Sequence, residues 1–459
     1  MAEPGEITDV IDAFDDGDLF DLNISLGFQY FTKSAKIRRE SAIASPGLTD
    51  GYYTSNQMNV ASYSETTAKL TPRIDIGIYK DLAFHVSLPI ILNNSRELTD
   101  LDGSANNAAY ILRGASGEQL FSLPFTSPDR SGLEYLGLGL DLDIMNQARD
   151  RTKPTWLLGF EARLPVSQPM SACTESPLEG QVKCAAPSDV NRNGADDGDD
   201  NGEGRDAAAR DPGVGRGTVG LELHTILSKR MKYVEPYGGF RALFEFFATS
   251  DDYDLTSLEG SLVNMPPIVG TVMLGMMIIP WENREKFGRL SFDMRVEGEY
   301  HSEGRDYSEL FDALGSSTAP SLRNPQWAGY TGDIQGNSVI DTGSSRSYFT
   351  GLSNVQPYGS IRASASATWQ ASELVKFQFG MGFRHDGAHG LGGDQPCNPS
   401  VKDDVGRSGP CRRDNGDGSF TQTGIPNPNY RHSINAVGRR FYADAITTID
   451  LFASGVVMF

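Results

Sequence analysis

Charged side chains recur along this chain two residues apart, with an uncharged residue between them. Arg73 and Asp75, Asp141 and Asp143, Glu161 and Arg163, and the run Asp293, Arg295, Glu297 share this spacing. Arg241 and Glu245 stand four apart, and Glu222, Arg362 and Arg384 follow the same alternation. In an extended chain, residues two apart point to one face. Such rows can select ions, bind polar solutes or lock into ion pairs. A second candidate is the acidic stretch 189–200, where Asp189, Asn191, Asn193 and Gly194 fit the pattern D-x-[DN]-x-[DN]-G. Asp197 and Asp200 fall at the later ligand positions. Ca2+ takes several oxygens from a tightly turned loop, and Gly194 permits the turn. A solvated acidic loop is the alternative. Nucleophilic catalysis needs a base within reach of a hydroxyl. His85 and His224 share the parity of the charges, and His301, His385, His389 and His432 fall at or beside loops. None has an evident Ser partner, so no enzyme is expected.

The elements that must position the charges are strands. Phe20, Leu22, Ile24, Leu26, Phe28 and Tyr30 alternate with Asp21, Asn23, Ser25, Gly27 and Gln29. Similar segments lie near 65–79, 82–92, 136–144, 156–164, 219–227, 240–246, 290–300, 361–369, 377–383 and 441–459. Residues 268–279 are apolar on both faces, which leaves their parity unreadable. The connections alternate as well. Short ones lie near 80–81, 146–154, 229–232, 281–287 and 371–373; long ones are 33–64, 93–132, 165–216, 249–267, 302–354 and 386–439. No apolar run reaches the roughly 18 residues of a membrane helix, but barrel strands need only alternate residues apolar.

The last segment, 441–459, ends at Phe459 with one uncharged face; Asp444, Thr448, Asp450 and Ser454 lie on the other. It resembles the closing strand of bacterial outer-membrane β-barrels, whose terminal Phe belongs to the signal read by the barrel assembly machinery. Ser454 stands where that signal expects a Gly. The resemblance implies lipid outside, both termini in the periplasm and long loops outside the cell. The stretch 189–200 looks like the calcium loops of thrombospondin type 3 and dockerin repeats. The expected fold is all-β: a transmembrane antiparallel up-and-down barrel of about twelve strands over residues 20–459, preceded by an acidic periplasmic segment, 1–19. That segment could instead plug the lumen or dock a partner.

Energetics assign the faces. An Arg facing lipid near the midplane costs roughly 2–4 kcal/mol. Turning the strands inside out would place Arg73, Arg163, Arg241, Arg295, Arg362 and Arg384 there together, which exceeds the roughly 5–15 kcal/mol of typical net stability. The charged set therefore lines the lumen. Charges separated onto opposite walls would make a selective channel, and charges paired across the lumen a closed scaffold. The channel reading leads; a non-conducting scaffold, for adhesion or as an anchor for other envelope proteins, is the runner-up.

The net charge of −20 excludes a nucleic-acid partner, which needs a basic footprint. Cys173/Cys184 and Cys397/Cys411 form two close pairs, which suits local disulfides in an oxidising compartment. Residues 1–4 lack the charged and apolar regions of a signal peptide, as expected of a mature chain with an added start Met.

Overall fold

The computed structural model describes all residues except 1–7, 9, 12, 14–20, 45–52, 102–118, 176–181, 185–211, 249–264, 318, 320, 321, 323–348, 395–411, 415, 416, 418 and 423–429. Twelve strands form its frame. They are β1 (Leu22–Ala44), β2 (Tyr53–Tyr79), β3 (Leu82–Ser87, continued by Ile90–Asp100) and β4 (Arg130–Leu133, continued by Leu136–Met145). Then follow β5 (Thr155–Leu164), β6 (Thr218–Ser228), β7 (Val234–Phe247) and β8 (Val269–Asn283). The last four are β9 (Gly288–His301), β10 (Tyr358–Ser372), β11 (Val375–Asp386) and β12 (Phe441–Met458). Each pairs antiparallel with its neighbour in chain order. β12 pairs back onto β1, so the sheet closes and no edge remains. The seam ends in reciprocal hydrogen bonds between Leu22 and Phe459, of 3.1 and 2.8 Å, at the rim of tight turns.

The outer surface is apolar. Ile24, Leu26, Leu140, Leu158, Leu223, Val296 and Leu451 are all exposed there. Exposed aromatics cluster at the tight-turn rim: Tyr79, Trp156, Tyr233, Trp281, Phe287, Trp369 and Phe459. Tyr30, Phe246, Tyr300 and Phe383 mark the opposite border. On β9, ten residue steps separate Leu290 from Tyr300. At ~3.3 Å per residue and a tilt of ~40° they span roughly 25 Å, the height of a lipid-facing barrel band. β8, unreadable from sequence, turns Val272, Leu274 and Met276 outward and buries Thr271, Met273 and Met277 within.

Three spans differ from expectation. Much of 33–64 is strand, because β1 runs on to Ala44 and β2 starts at Tyr53; β3 likewise extends to Asp100. Above the band the apolar phase of the alternation reverses. Ala35, Ile37, Ala61, Tyr63 and Leu98 point inward, where they are buried. In β12, Ala445 takes a positive φ of 50° and the register with β1 shifts beside it. The bulge turns the rest of the strand over. Phe441 and Ala443 go inward and are fully buried, while Asp444 leaves the expected charged face and pairs with Arg38 at 3.2 Å.

These inward apolar residues join Leu120, Phe121, Phe125, Leu310, Leu314 and Ile434 in one buried cluster. At its centre is α1 (Phe311–Gly315), every residue of which is buried. The cluster fills the long-loop end of the barrel. We call it the cap.

Candidate functional site in the barrel interior

Inside the apolar band, opposite charges sit side by side along the wall. On β3–β6 the side chains form a closed ring. Asp141 contacts His85 at 2.8 Å and His224 at 3.0 Å. His85 reaches Glu161 at 3.4 Å. Glu161 accepts from Arg163 at 2.9 Å, and Arg163 also donates to Glu222. Glu222 lies 3.8 Å from His224, which completes the circuit. Arg73 joins from β2, donating to Asp75 at 2.7 Å and Asp141 at 3.3 Å.

Glycines make this ring lie flat. Gly137, Gly139 and Gly159 share the inward parity of the charges. A methyl group at Gly139 would strike His85, and one at Gly159 would strike His224 and Asp141. The wall opposite uses the same device: Gly382 lies beneath Asp450, and Gly275 beneath Tyr237. There Arg362 bridges Glu297 at 3.2 Å and Asp450 at 2.7 Å, and Arg384 bridges Glu299 at 2.8 Å and Asp386 at 2.5 Å. Arg295 lies 3.7 Å from Asp293 and 3.6 Å from Glu297 and donates to the Tyr237 hydroxyl at 3.0 Å.

The charges are therefore neither segregated by wall nor paired across the lumen. Most pair with neighbours on their own wall, and space remains between the walls. Several chambers remain, of which two bear on the charges. The one toward the tight turns measures about 460 Å³ and is lined by Arg73, Asp75, Asp141, His224 and Arg295 among others. The one beneath the cap measures about 320 Å³ and is lined by Arg163, Glu222, Arg241, Glu245 and Glu299 among others. Asp143 is buried on the same inner face as Asp141.

Within the segment 1–19, two of the described residues, Val10 and Ile11, line the first chamber. Ala13 is buried, and the Thr8 hydroxyl lies 2.7 Å from that of Ser228.

The cap is held by buried ion pairs. Arg130 grips Asp312 of α1 with two hydrogen bonds, of 3.0 and 2.6 Å, and Arg305 meets Asp394 at 2.6 Å. Lys33 meets Glu309 at 2.8 Å. Burial alone would raise the Glu309 carboxyl, but Lys33 and His389 hold it down at about 2. The Cys173–Cys184 disulfide is formed and packs here, with the Cys173 N–H donating to Asp312 at 3.0 Å. Cys397 and Cys411 lie outside the described residues, as do the proposed calcium ligands Asp189, Asn191, Asn193, Asp197 and Asp200.

Among the described residues, Asp75, His85 and Asp141 alone bring three potential metal-ligating atoms within 4.8 Å of one another. Arg73 already donates to both carboxylates, so a guanidinium supplies the cation there. Sequence reasoning missed the two histidines as links between carboxylates, although their parity was visible. It also missed the glycines, whose signal was their phase: they alternate in step with the charges.

No family model matches the chain, and no curated protein matches it in sequence. Solved structures do. The COG4313 outer-membrane channel of Pseudomonas putida F1 aligns over 100% of both chains at 10% identity, with a TM-score of 0.37. A Pseudomonas aeruginosa FadL homologue aligns over 96% of this chain and 90% of its own at 8% identity, TM-score 0.33. The Pseudomonas putida toluene transporter TodX aligns over 99% and 92% at 8% identity, TM-score 0.34. A closed wall of twelve antiparallel strands, apolar without and charged within, makes this chain a β-barrel that resembles those of bacterial outer membranes.

Proposed function

We propose that this barrel is an outer-membrane channel for small polar or charged solutes. One observation carries the reading: the inward charges lie flat over glycines and pair along the wall, which leaves solute-sized chambers in the interior. A lumen whose charges bridged the axis would have no such space. Because each wall carries both signs, ion selectivity is weak, and solutes meet alternating donors and acceptors. In this reading the termini face the periplasm, the outer surface contacts outer-membrane lipid, and Phe459 is presented to the assembly machinery.

The cap favours a second reading. An apolar stopper at one end suits a scaffold that holds shaped loops for other envelope proteins. Planar-bilayer recording separates the two. Discrete conductance steps that grow when the cap is loosened support the channel. Silence from folded protein with an intact and with a loosened cap supports the scaffold. Calcium at 189–200 is a separate proposal: calorimetry should detect Ca2+ binding that Asp189→Ala weakens, and unchanged binding removes it.

A further inference from the structure

The upper chamber holds a cation that is only loosely paired. Five carboxylates line it, and each is engaged. Glu134 meets Lys69 at 2.5 Å, and Glu222 meets Arg163. Glu245 and Asp306 share Arg216, at 3.0 and 2.8 Å. Glu299 takes Arg384 at 2.8 Å and His301 at 2.6 Å. Arg241 is different. Its one ion pair among the described residues is a long one, 4.0 Å to Glu299, a carboxylate that Arg384 and His301 already hold more closely. Its side chain keeps 38% of its surface open, facing the chamber. A guanidinium offers five N–H donors in a planar fork that matches a carboxylate.

The wall beside it is apolar. Arg241 stands opposite Thr271 on β8, and the next inward pair is Leu243 opposite Val269. Residues two apart on a strand are separated by ~7 Å. That is about the length of a small ring or short chain carrying a carboxylate. The chamber volume, about 320 Å³, falls at the lower end of the range for small-molecule sites, roughly 300–1,000 Å³.

We propose that the upper chamber binds small organic carboxylates with a compact apolar body, the carboxylate on Arg241 and the body on Leu243 and Val269. This assignment rests on the channel reading and names its solute class. Benzoate is the probe, and benzyl alcohol is its neutral counterpart. Titration calorimetry of the detergent-solubilised barrel should detect benzoate and find benzyl alcohol weaker. Arg241→Gln should weaken benzoate by roughly ten- to hundredfold, leave benzyl alcohol unchanged, and be partly rescued by Arg241→Lys. Leu243→Trp, which fills the chamber from the neighbouring position, should abolish benzoate binding too. Equal affinity for the two probes overturns the proposal, and so does benzoate affinity that Arg241→Gln leaves intact. Conductance on the same samples keeps the two readings apart. A conducting barrel indifferent to Arg241 sinks the site alone. A silent barrel that binds benzoate through Arg241 sinks the channel alone.

Discussion

The interior of this barrel is built on one rule within the lipid band and on the opposite rule above it. Within the band, inward positions carry mostly charges, polar groups and glycines, and space is left between the walls. Above it, inward positions of the same strands carry Ile37, Ala61, Tyr63, Leu98 and Phe441, and the space is filled. What differs is the phase of one alternation. Lipid demands apolar residues outside, so charge must go in; water outside releases that demand, and the interior can become an ordinary core. In β3 and β12 the reversal falls at an irregularity, the register shift opposite Ala68 and Lys69 and the bulge at Ala445; in β1 and β2 the inward parity runs on and only the residue type changes.

Breaking the cap should have the largest effect. Asp312→Ala strands Arg130, whose side chain is only 1% exposed. Loss of one partner of such a pair costs roughly 3–5 kcal/mol. The cap should become protease-sensitive while the band stays folded, as read by limited digestion and by retained heat-modifiable migration on gels. Next comes the band's outer face. Leu274→Arg, at a position 66% exposed, should cost roughly 2–4 kcal/mol in refolding into bilayers, whereas a lysine at the outer-face cap position Ser34 should be nearly neutral. Third, Gly159→Val should leave stability close to wild type yet push His224 and Asp141 off the wall, so single-channel conductance falls severalfold. Fourth, Arg362→Gln leaves Glu297 and Asp450 without their shared cation. The reversal potential in a salt gradient should shift toward cation preference with little change in conductance.

The smallest effect is a pH response confined to the cap. The Glu309 carboxyl is held at about 2, below its ordinary value of 4.5. A depressed carboxyl contributes stability that is fully present above 4.5 and is lost as the pH falls through 2. Thermal scans across that window should show the cap weakening in acid, and Glu309→Gln should flatten the trend.

Much of the barrel was legible because lipid imposes a pattern on sequence. Every strand within the band left alternate apolar residues, and the positions of Arg73, Glu161 and Arg295 followed from the cost of placing charge in hydrocarbon. β8 was the exception. Its inward Met273 and Met277 are apolar too, so its two faces could not be told apart. The cap was illegible for a related reason. Its core is assembled from strand ends and loop residues such as Leu120, Leu310 and Ile434, which are far apart in the chain and follow no period. Pairing was hidden as well: parity tells which way Arg362 points, but only register brings it to Asp450. The loosely paired Arg241 looked like every other inward arginine.

The seam between β1 and β12 has a consequence for biogenesis. It joins the first and last strands of the barrel, and its terminal bonds use Leu22 and Phe459 themselves. Until these two strands meet, the sheet has two raw borders, each a template for stray pairing. Loss of even the final residue would leave the zipper without its last tooth.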